Sequence, residues 1–522
     1  MDAPPRSQNQ LAVPHGGAHA ALGRPGGGMD APPRSQNQLA TPHGGAHAAL
    51  GRPGGGMNLS GKHVLVLGLG ESGLAMAQWC ARNGATVRVA DTRAAPPYLE
   101  QLRRTTSADF CSGEFDKRLL DGIDLLAISP GLSPGLLVVI HARAQGIPVV
   151  GEIELFAQGL SALKQNVPIV AITGTNGKTT TTALTGHLIA ASGRTVGVAG
   201  NISPAALTAL MDYQDRNALP QAWVLELSSF QLETVNTLNA AAATVLNISD
   251  DHLDRYIDLN DYASAKARIF QASADRAGVQ VLNRQDARVK SMALPGRRLI
   301  SFGLDAPGTV DDFGLRENRG EPWLVQGDRF LLPVSELQAA GLTGLHNAAN
   351  ALAALALCAA IGIDAVTLLP ALRAFRGLSH RVEKIAEIGG VTYYDDSKGT
   401  NVGATVAALS GLGCKSVVIL GGEGKGQDFS PLKDAVARHA RGVVLIGRDA
   451  PLIHAALAGC GVPLLDAASM DEAVRAAAGR ARAGDAVLLS PACASFDMFH
   501  NYEHRATVFK AAVQALVQGG SQ

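Results

Sequence analysis

Residues 169–180 read Ile169-Val170-Ala171-Ile172-Thr173-Gly174-Thr175-Asn176-Gly177-Lys178-Thr179-Thr180. A short apolar run of strand type ends in a Gly-x-x-Gly-Lys-Thr turn, and an apolar helical stretch follows. At such a junction backbone N–H groups and the positive end of a helix converge on one anion-sized hollow. Gly174, Thr175, Asn176, Gly177 and Thr180 are the expected cradle of a triphosphate, with Lys178 against the β- and γ-phosphates and the Thr179 hydroxyl on Mg²⁺. The spacing departs from the standard loop, because Ile172 stands where Gly-x-x-x-x-Gly-Lys-Ser/Thr has its first glycine. A plain strand-to-helix turn is the bland alternative; the strand before and the helix after favour phosphate.

Outward from this loop, Val-, Ile- and Leu-rich runs alternate with longer alanine-rich amphipathic stretches, the pattern of parallel strands joined by crossover helices. The class is α/β. Strands are expected at His63–Leu67, Thr86–Ala90, Leu125–Ser129, Ile169–Thr173, Val224–Leu227, Thr244–Ile248, Val391–Tyr394, Ser416–Leu420, Val443–Ile446 and Ala486–Ser490. They fall into three groups, and 522 residues at roughly 150 per domain give about three domains. We therefore expect three doubly wound domains: Rossmann-like over 57–155, a central P-loop ATPase-like domain over 156–376, and a second Rossmann-like domain over 377–522. Ahead of them, residues 1–28 and 29–56 are one 28-residue unit written twice, differing only at Val13 against Thr41. Gly, Pro, Ala, Asn and Gln dominate it, so it cannot bury enough apolar surface to fold, and a disordered, dispensable extension is expected.

Lys plus Arg and Asp plus Glu each total 45. No global field is available to hold nucleic acid or an anionic membrane surface, so neither is an expected partner. The six cysteines (Cys80, Cys111, Cys358, Cys414, Cys460, Cys493) show no Cys-x-x-Cys spacing, which argues against zinc sites and a disulfide framework. The most apolar stretch, Leu345 to Ile363, is interrupted by His346, Asn347 and Asn350, whereas a spanning helix needs about 20 predominantly apolar residues. It reads as a buried helix. No basic start with an apolar core and small-residue cleavage site opens the chain, and a cytoplasmic location is expected.

Other candidate groups lie at predicted strand ends, where parallel sheets bind ligands. Glu226 closes one strand and is a credible metal carboxylate. The next leads into Ser249-Asp250-Asp251-His252-Leu253-Asp254, whose carboxylates could equally be N-cap and first-turn residues of a following helix. Gly68-Leu69-Gly70-Glu71-Ser72-Gly73, with Asp91 some 20 residues on, reads as a dinucleotide fingerprint, a weak signal that keeps a nicotinamide enzyme in view. Asp396-Ser397-Lys398-Gly399-Thr400-Asn401 and Gly421-Gly422-Glu423-Gly424-Lys425-Gly426 bring two lysines that could grip an anion.

In order, Gly174 to Thr179, Glu226-Leu227-Ser228-Ser229-Phe230-Gln231-Leu232, Asp251-His252-Leu253-Asp254, His346-Asn347 and His380-Arg381 resemble the Mur ligase family over essentially all of the chain from Met57. Gly68 to Gly73, Asp91-Thr92-Arg93, Asp396 to Asn401 and Ser490-Pro491-Ala492-Cys493-Ala494-Ser495-Phe496-Asp497 are most similar to its D-glutamate-adding branch. The resemblance implies a monomeric, ATP-dependent amide ligase that joins D-glutamate to UDP-N-acetylmuramoyl-L-alanine through an acyl phosphate and a tetrahedral intermediate, in peptidoglycan precursor synthesis. It turns the first glycine loop into a diphosphate site, with Gly70, Glu71, Ser72 and Gly73 at the diphosphate, Asp91, Thr92 and Arg93 near uracil, and Asn201 at the acyl-bearing end.

The resemblance also implies two Mg²⁺ sites, one held by Thr179 and Glu226, the other by His252 and a carbamylated Lys266, with Lys178, His252 and Lys266 as the catalytic set. Asn347, Asn350, Arg381 and Asp396 would surround ATP, and Thr400, Lys425, Ser495 and Tyr502 would surround D-glutamate. Tyr502 stands where the family carries phenylalanine, and Ser203 and Ala506 where it carries glycine. The alternatives are a ligase with another acceptor, such as a folylpolyglutamate-type enzyme, and a nucleotide-gated binding protein.

Overall fold

The computed structural model describes residues 58–252, 255–271 and 278–519. The duplicated segment, Leu253 and Asp254 lie outside the described residues. Within the described residues the strands form three sheets.

The first sheet contains β1 (His63–Leu67), β2 (Thr86–Asp91), β3 (Asp109–Ser112), β4 (Leu125–Ile128) and β5 (Val149–Val150) in the order β3-β2-β1-β4-β5, all parallel. Side chains alternate between its faces. Val64 and Val66 of β1 join one apolar layer, Leu65 and Leu67 the other. Burial on both sides explains why this strand reads as a continuous apolar run.

The second sheet is built from β6 (Ile169–Thr173), β7 (Val196–Gly200), β8 (Ala222–Glu226), β9 (Ala242–Val245), β10 (Val279–Asn283), β11 (Leu299–Phe302), β12 (Phe313–Asn318), β13 (Glu321–Gln326) and β14 (Arg329–Pro333). Its order is β14-β13-β12-β11-β10-β9-β6-β8-β7. From β7 to β12 the pairs are parallel; β12, β13 and β14 form an antiparallel meander. The third sheet has β15 (Glu383–Ile388), β16 (Val391–Asp395), β17 (Ser416–Gly421), β18 (Ala440–Ile446), β19 (Leu464–Asp466) and β20 (Ala486–Leu489) in the order β15-β16-β20-β17-β18-β19. There β15 is the antiparallel edge.

The parallel cores match the expected doubly wound pattern, but the meander and the β15–β16 hairpin qualify it. Both carry turns with positive φ at consecutive residues: Arg319 (+55°) and Gly320 (+80°), then Gly389 (+59°) and Gly390 (+75°). Two left-handed residues in sequence suit the twist of a tight hairpin, which is why Gly-Gly marks one of these turns.

The apolar layer on one face of the first sheet continues into the central domain. Val64, Leu74 and Trp79 share it with Phe156, Leu210, Trp223 and Leu225. Trp223 is fully buried and meets Phe156 and Tyr213 edge-on at 5.0 and 5.5 Å. Trp223→Ala should cost about 3–5 kcal/mol through the cavity it leaves, seen as an earlier midpoint in urea unfolding; an unchanged midpoint would show that this layer does not hold the fold.

The stretch around His346 is the helix Leu345–Ala360, with Asn347, Asn350 and most of its apolar residues buried. Among the described residues no helix is long and apolar enough to cross a membrane.

Candidate active site

β6 delivers the phosphate-loop sequence to the carboxyl edge of the second sheet, and the helix Lys178–Ala191 follows with Gly177 as its N-cap at φ +84°. A Cβ on Gly177 would lie 2.4 Å from Asn350 Oδ1, so the loop needs glycine there. Asn247 pins the loop: its Oδ1 accepts from Asn176 N at 2.8 Å and its Nδ2 donates to Asn176 O at 3.1 Å. Lys178 Nζ folds back onto the carbonyls of Gly174 (3.0 Å) and Thr175 (2.8 Å). Burial lowers the Lys178 pKa, the negative charges of Glu226 and Asp251 oppose this, and Arg381 reinforces it.

Two neighbouring strands supply acidic and imidazole groups. Glu226 is the last residue of β8, in register with Ile172 of β6 and Gly200 of β7. Its Oε1 accepts from Asn201 Nδ2 at 2.8 Å, while Oε2 is buried with no partner. A buried carboxylate oxygen without a donor is costly in isolation and suits a hard cation. Beyond β9, His252 adopts φ +56°, and its ring lies 4.7 Å from Phe230 and 6.2 Å from Tyr262. Burial depresses its pKa, opposed by Asp251 and reinforced by Lys266, Lys178 and Lys425, so the imidazole is kept neutral and can ligate.

Asp250 and Asp251 do not cap a helix in the way the composition of their stretch allows. The next helix is Leu259–Ala267, and Asp258 caps it by accepting from Asn260 N and Asp261 N. Asp250 and Asp251 stay in the loop before it, and Asp251 lines the cavity.

Lys266 on that helix is 1% exposed, with Nζ 3.4 Å from Thr173 Oγ1 and 4.6 Å from the Tyr262 ring centroid. Burial, with help from nearby Lys178, holds its pKa well below the ordinary lysine value, against the pull of Asp251 and Glu226. A neutral amine is the form that adds CO₂.

The third sheet closes the site. Arg381 NH2 donates to Thr179 Oγ1 at 3.3 Å, and Asn401 Nδ2 reaches Asn176 Oδ1 at 3.1 Å. The resulting cavity, of about 380 Å³, is lined by Thr175, Asn176, Gly177, Lys178, Thr179, Asn201, Glu226, His252, Arg381, Thr400, Lys425 and Tyr502 from the expected set. Asp251, Lys398, Asn401, Gly424 and Gln427 also line it. Lys398, Asn401 and Gly424 sit inside the two glycine-containing motifs read from the sequence, so their signal was present; Gln427, one residue beyond, carried none.

Several expected residues stand away from the lining. Gly174 and Thr180 are both buried. Asn350 accepts from Thr181 Oγ1 and donates to Asn347 Oδ1 beneath the loop, in a buried helix contact. Asp396 is buried against Ser490 Oγ (2.7 Å), and burial pushes its carboxyl up to about 7. Ser495 is buried, with its carbonyl accepting from Met498 N and Phe499 N.

The first-sheet residues form a separate group. Asp91 accepts from Leu69 N at 2.7 Å and from Arg93 N, Nε and NH2, and the Arg93 guanidinium holds its carboxyl low, at about 2. Thr92 beside it is exposed. A Cβ on Gly73 would lie 1.9 Å from Gly68 O, whereas one on Gly70 would meet nothing within 4 Å, leaving that flank open to a ligand. The Glu71 carboxylate turns away from the loop, onto Ser203 and Ala205.

A phosphate loop at the end of a central parallel sheet, with a carboxylate and a neutral imidazole beside it and a third domain closing over it, defines a nucleotide-dependent transferase or ligase site. Family comparisons are more specific: the Mur ligase MurD-like N-terminal domain matches residues 62–151, the Mur ligase middle domain 172–358, and the Mur ligase glutamate ligase domain 380–493. The chain belongs to the Mur ligase family.

It is 59% identical over 464 residues to the UDP-N-acetylmuramoylalanine--D-glutamate ligase of Aromatoleum aromaticum, covering 88% of this chain and 98% of that protein. It is 55% identical over 461 residues to the enzyme of the same name from Nitrosospira multiformis, covering 88% and 96%. Among solved structures, MurF from Acinetobacter baumannii (TM-score 0.55, 18% identity, 86% of this chain and 91% of that one) and UDP-N-acetylmuramate-alanine ligase MurC from Thermotoga maritima (0.54, 19%, 87% and 99%) share the fold.

Proposed function

We propose that the protein is an ATP- and Mg²⁺-dependent ligase that adds D-glutamate to UDP-N-acetylmuramoyl-L-alanine in peptidoglycan precursor synthesis, acting as a cytoplasmic monomer. The observation that carries this reading is the junction of the three domains: the Lys178 loop, the orphaned Glu226 oxygen and the lysines of the third domain surround one cavity. The relatives named for this reaction, similar over nearly their whole length, support the substrate assignment.

A carboxylate is a poor acylating agent because its leaving group would be oxide. Transfer of the γ-phosphoryl group of ATP to the L-alanyl carboxylate gives an acyl phosphate, from which phosphate can leave. Lys178 leaves the Gly174 and Thr175 carbonyls for the phosphoryl oxygens and offsets their charge as it moves. Asn201 holds the acyl end, and Arg381, Asn347, Asn350 and Asp396 order the nucleotide side. The neutral amine of D-glutamate, its carboxylates held by Lys425, Thr400 and Ser495 beside Tyr502, then attacks the acyl carbon and forms a tetrahedral intermediate, which collapses with loss of phosphate.

Thr179 and Glu226 would hold one Mg²⁺, His252 and carbamylated Lys266 a second; the ions supply charge neutralisation at the transferring phosphoryl group. His252 serves as ligand, since burial lowers its pKa and favours the neutral imidazole. The backbone of Gly70 to Gly73 takes the diphosphate, with the Glu71 carboxylate turned away onto Ser203 and Ala205, and Asp91, Thr92 and Arg93 face uracil. Domains bounded at 57–155, 156–376 and 377–522 allow closure over the acyl phosphate, which excludes water.

Phosphate release from ATP with UDP-N-acetylmuramoyl-L-alanine tests this directly, comparing D-glutamate, L-glutamate and no amino acid and weighing the product by mass spectrometry. D-glutamate-dependent release with the matching product is expected. Release with another acceptor would move the substrate, and nucleotide binding without product would overturn the ligase reading.

A further inference from the structure

The connection from Gly200 to Leu207 touches both halves of the site. At its start, Asn201 N donates to Glu226 O at 2.7 Å and Asn201 Nδ2 to Glu226 Oε1 at 2.8 Å. Gly200 N donates to Pro204 O at 3.0 Å, closing the loop on itself, and a Cβ on Gly200 would lie 2.3 Å from Glu226 O. At its far end the partners come from the first domain. Ser203 Oγ donates to the Glu71 carboxylate (2.8 and 2.9 Å), Ala205 N donates to Glu71 Oε1 (3.1 Å), and Leu207 N donates to Glu152 Oε1 (2.6 Å). Leu74 and Trp79 of the first domain pack in one apolar layer with Ala206 and Leu210 beneath this strap. Fixed at both ends over a packed joint, the strap has little slack.

Glu71 opens the helix Glu71–Arg82 inside the Gly68–Gly73 loop. A carboxylate swung over Gly70 would repel a bound diphosphate; Ser203 and Ala205 hold it on the strap instead. We propose that Glu71 is a positioning residue: by gripping Ser203 and Ala205 it fixes the strap and, through Asn201, the orientation of Glu226, so that the nucleotide-sugar loop and the cation-binding carboxylate are set as one unit. This rests on the reading of that loop as a diphosphate site and of Glu226 as a cation ligand.

The test uses the full chain with three variants. Glu71→Ala removes both acceptors. Glu71→Gln keeps one oxygen for Ala205 N and sets an amide opposite the Ser203 hydroxyl, which can then accept. Mn²⁺ binding is followed by the spin-resonance signal of the free ion, with a non-hydrolysable ATP analogue present, beside kcat, the KM of each substrate and thermal unfolding. Glu71→Ala should weaken Mn²⁺ binding and lower kcat by about five- to tenfold, with the KM for ATP unchanged, and Glu71→Gln should restore both to within about twofold.

A rise in KM for the sugar nucleotide with unchanged Mn²⁺ binding would overturn the proposal, placing Glu71 at its own loop alone. So would a Gln variant as impaired as the Ala variant. If either fails to fold, Ser203→Ala on the exposed strap carries the same expectation at about two- to threefold, and no change in Mn²⁺ binding there rejects the clasp. Should the wild-type protein make no ligase product while the Mn²⁺ shift appears, the clasp stands and the substrate reading fails.

Discussion

Lys178→Ala is expected to lower ligase turnover by about a hundred- to a thousand-fold, the size seen when one preorganised charge or donor is lost from a transferring group. Lys178 lies at the first turn of its helix, with its ammonium held on the Gly174 and Thr175 carbonyls. Those weak acceptors are readily exchanged for phosphoryl oxygens, which carry full charge. Burial lowers the pKa of this ammonium, and the charges of Glu226 and Asp251 favour its protonated form against that cost. Single-turnover phosphate transfer measures the loss, with thermal unfolding as the control for folding. A variant that folds and turns over at the wild-type rate would remove Lys178 from the reaction; one that loses only ATP affinity would reduce it to a binding group.

Lys266→Met should abolish turnover, by about a hundred-fold or more if the carbamate is a cation ligand, and should at the same time raise the stability of the protein free of nucleotide and metal. The two effects share one cause. Lys266 is buried beside Lys178, and its folded-state pKa lies well below the ordinary value of 10.5. Between the folded-state pKa and 10.5 the unfolded chain binds a proton at this lysine that the native chain does not. Stability therefore rises with pH between the folded pKa and 10.5, and is reduced below the upper limit of that window by the cost of keeping the amine neutral.

Methionine fills similar space without that cost, so the variant should unfold at higher urea with a flatter dependence on pH. Labelled bicarbonate followed by carbon-13 spectroscopy reads the carbamate itself. Active wild-type enzyme with no carbamate signal would sink the assignment, and an active Lys266→Met variant would do so independently.

Much of this architecture was legible because parallel strands buried on both faces leave unbroken apolar runs. Ile169–Thr173 and His63–Leu67 have the same limits in the sequence reading and in the fold, and Glu226 falls at a strand end in both. The meander over 313–333 was not read, since its strands carry Glu, Arg, Asn and Pro322 at a sheet margin where burial is partial. The β15–β16 turn of the third sheet was readable in principle: Gly389-Gly390 between alternating runs is a hairpin signal. β7, Val196–Gly200, escaped because two of its five residues are glycines, one pressed against Trp223 and one against Glu226.

By itself the sequence determined the phosphate loop, its lysine and threonine, the α/β class and the order of the motifs, because each depends on residues close together in the chain. Only the tertiary structure decided which of those residues share a cavity. Asn401 meets Asn176 across 225 positions and Arg381 meets Thr179 across 202, contacts that no local pattern encodes. The same holds for Glu226, a strand-end carboxylate in the sequence that lines the cavity, and for the burial of Lys266, an unremarkable helix lysine in the sequence, against Thr173. The chemistry of Lys266 arises from desolvation and from the charges packed around it, which are properties of the folded interior and not of the residues that surround it in the chain.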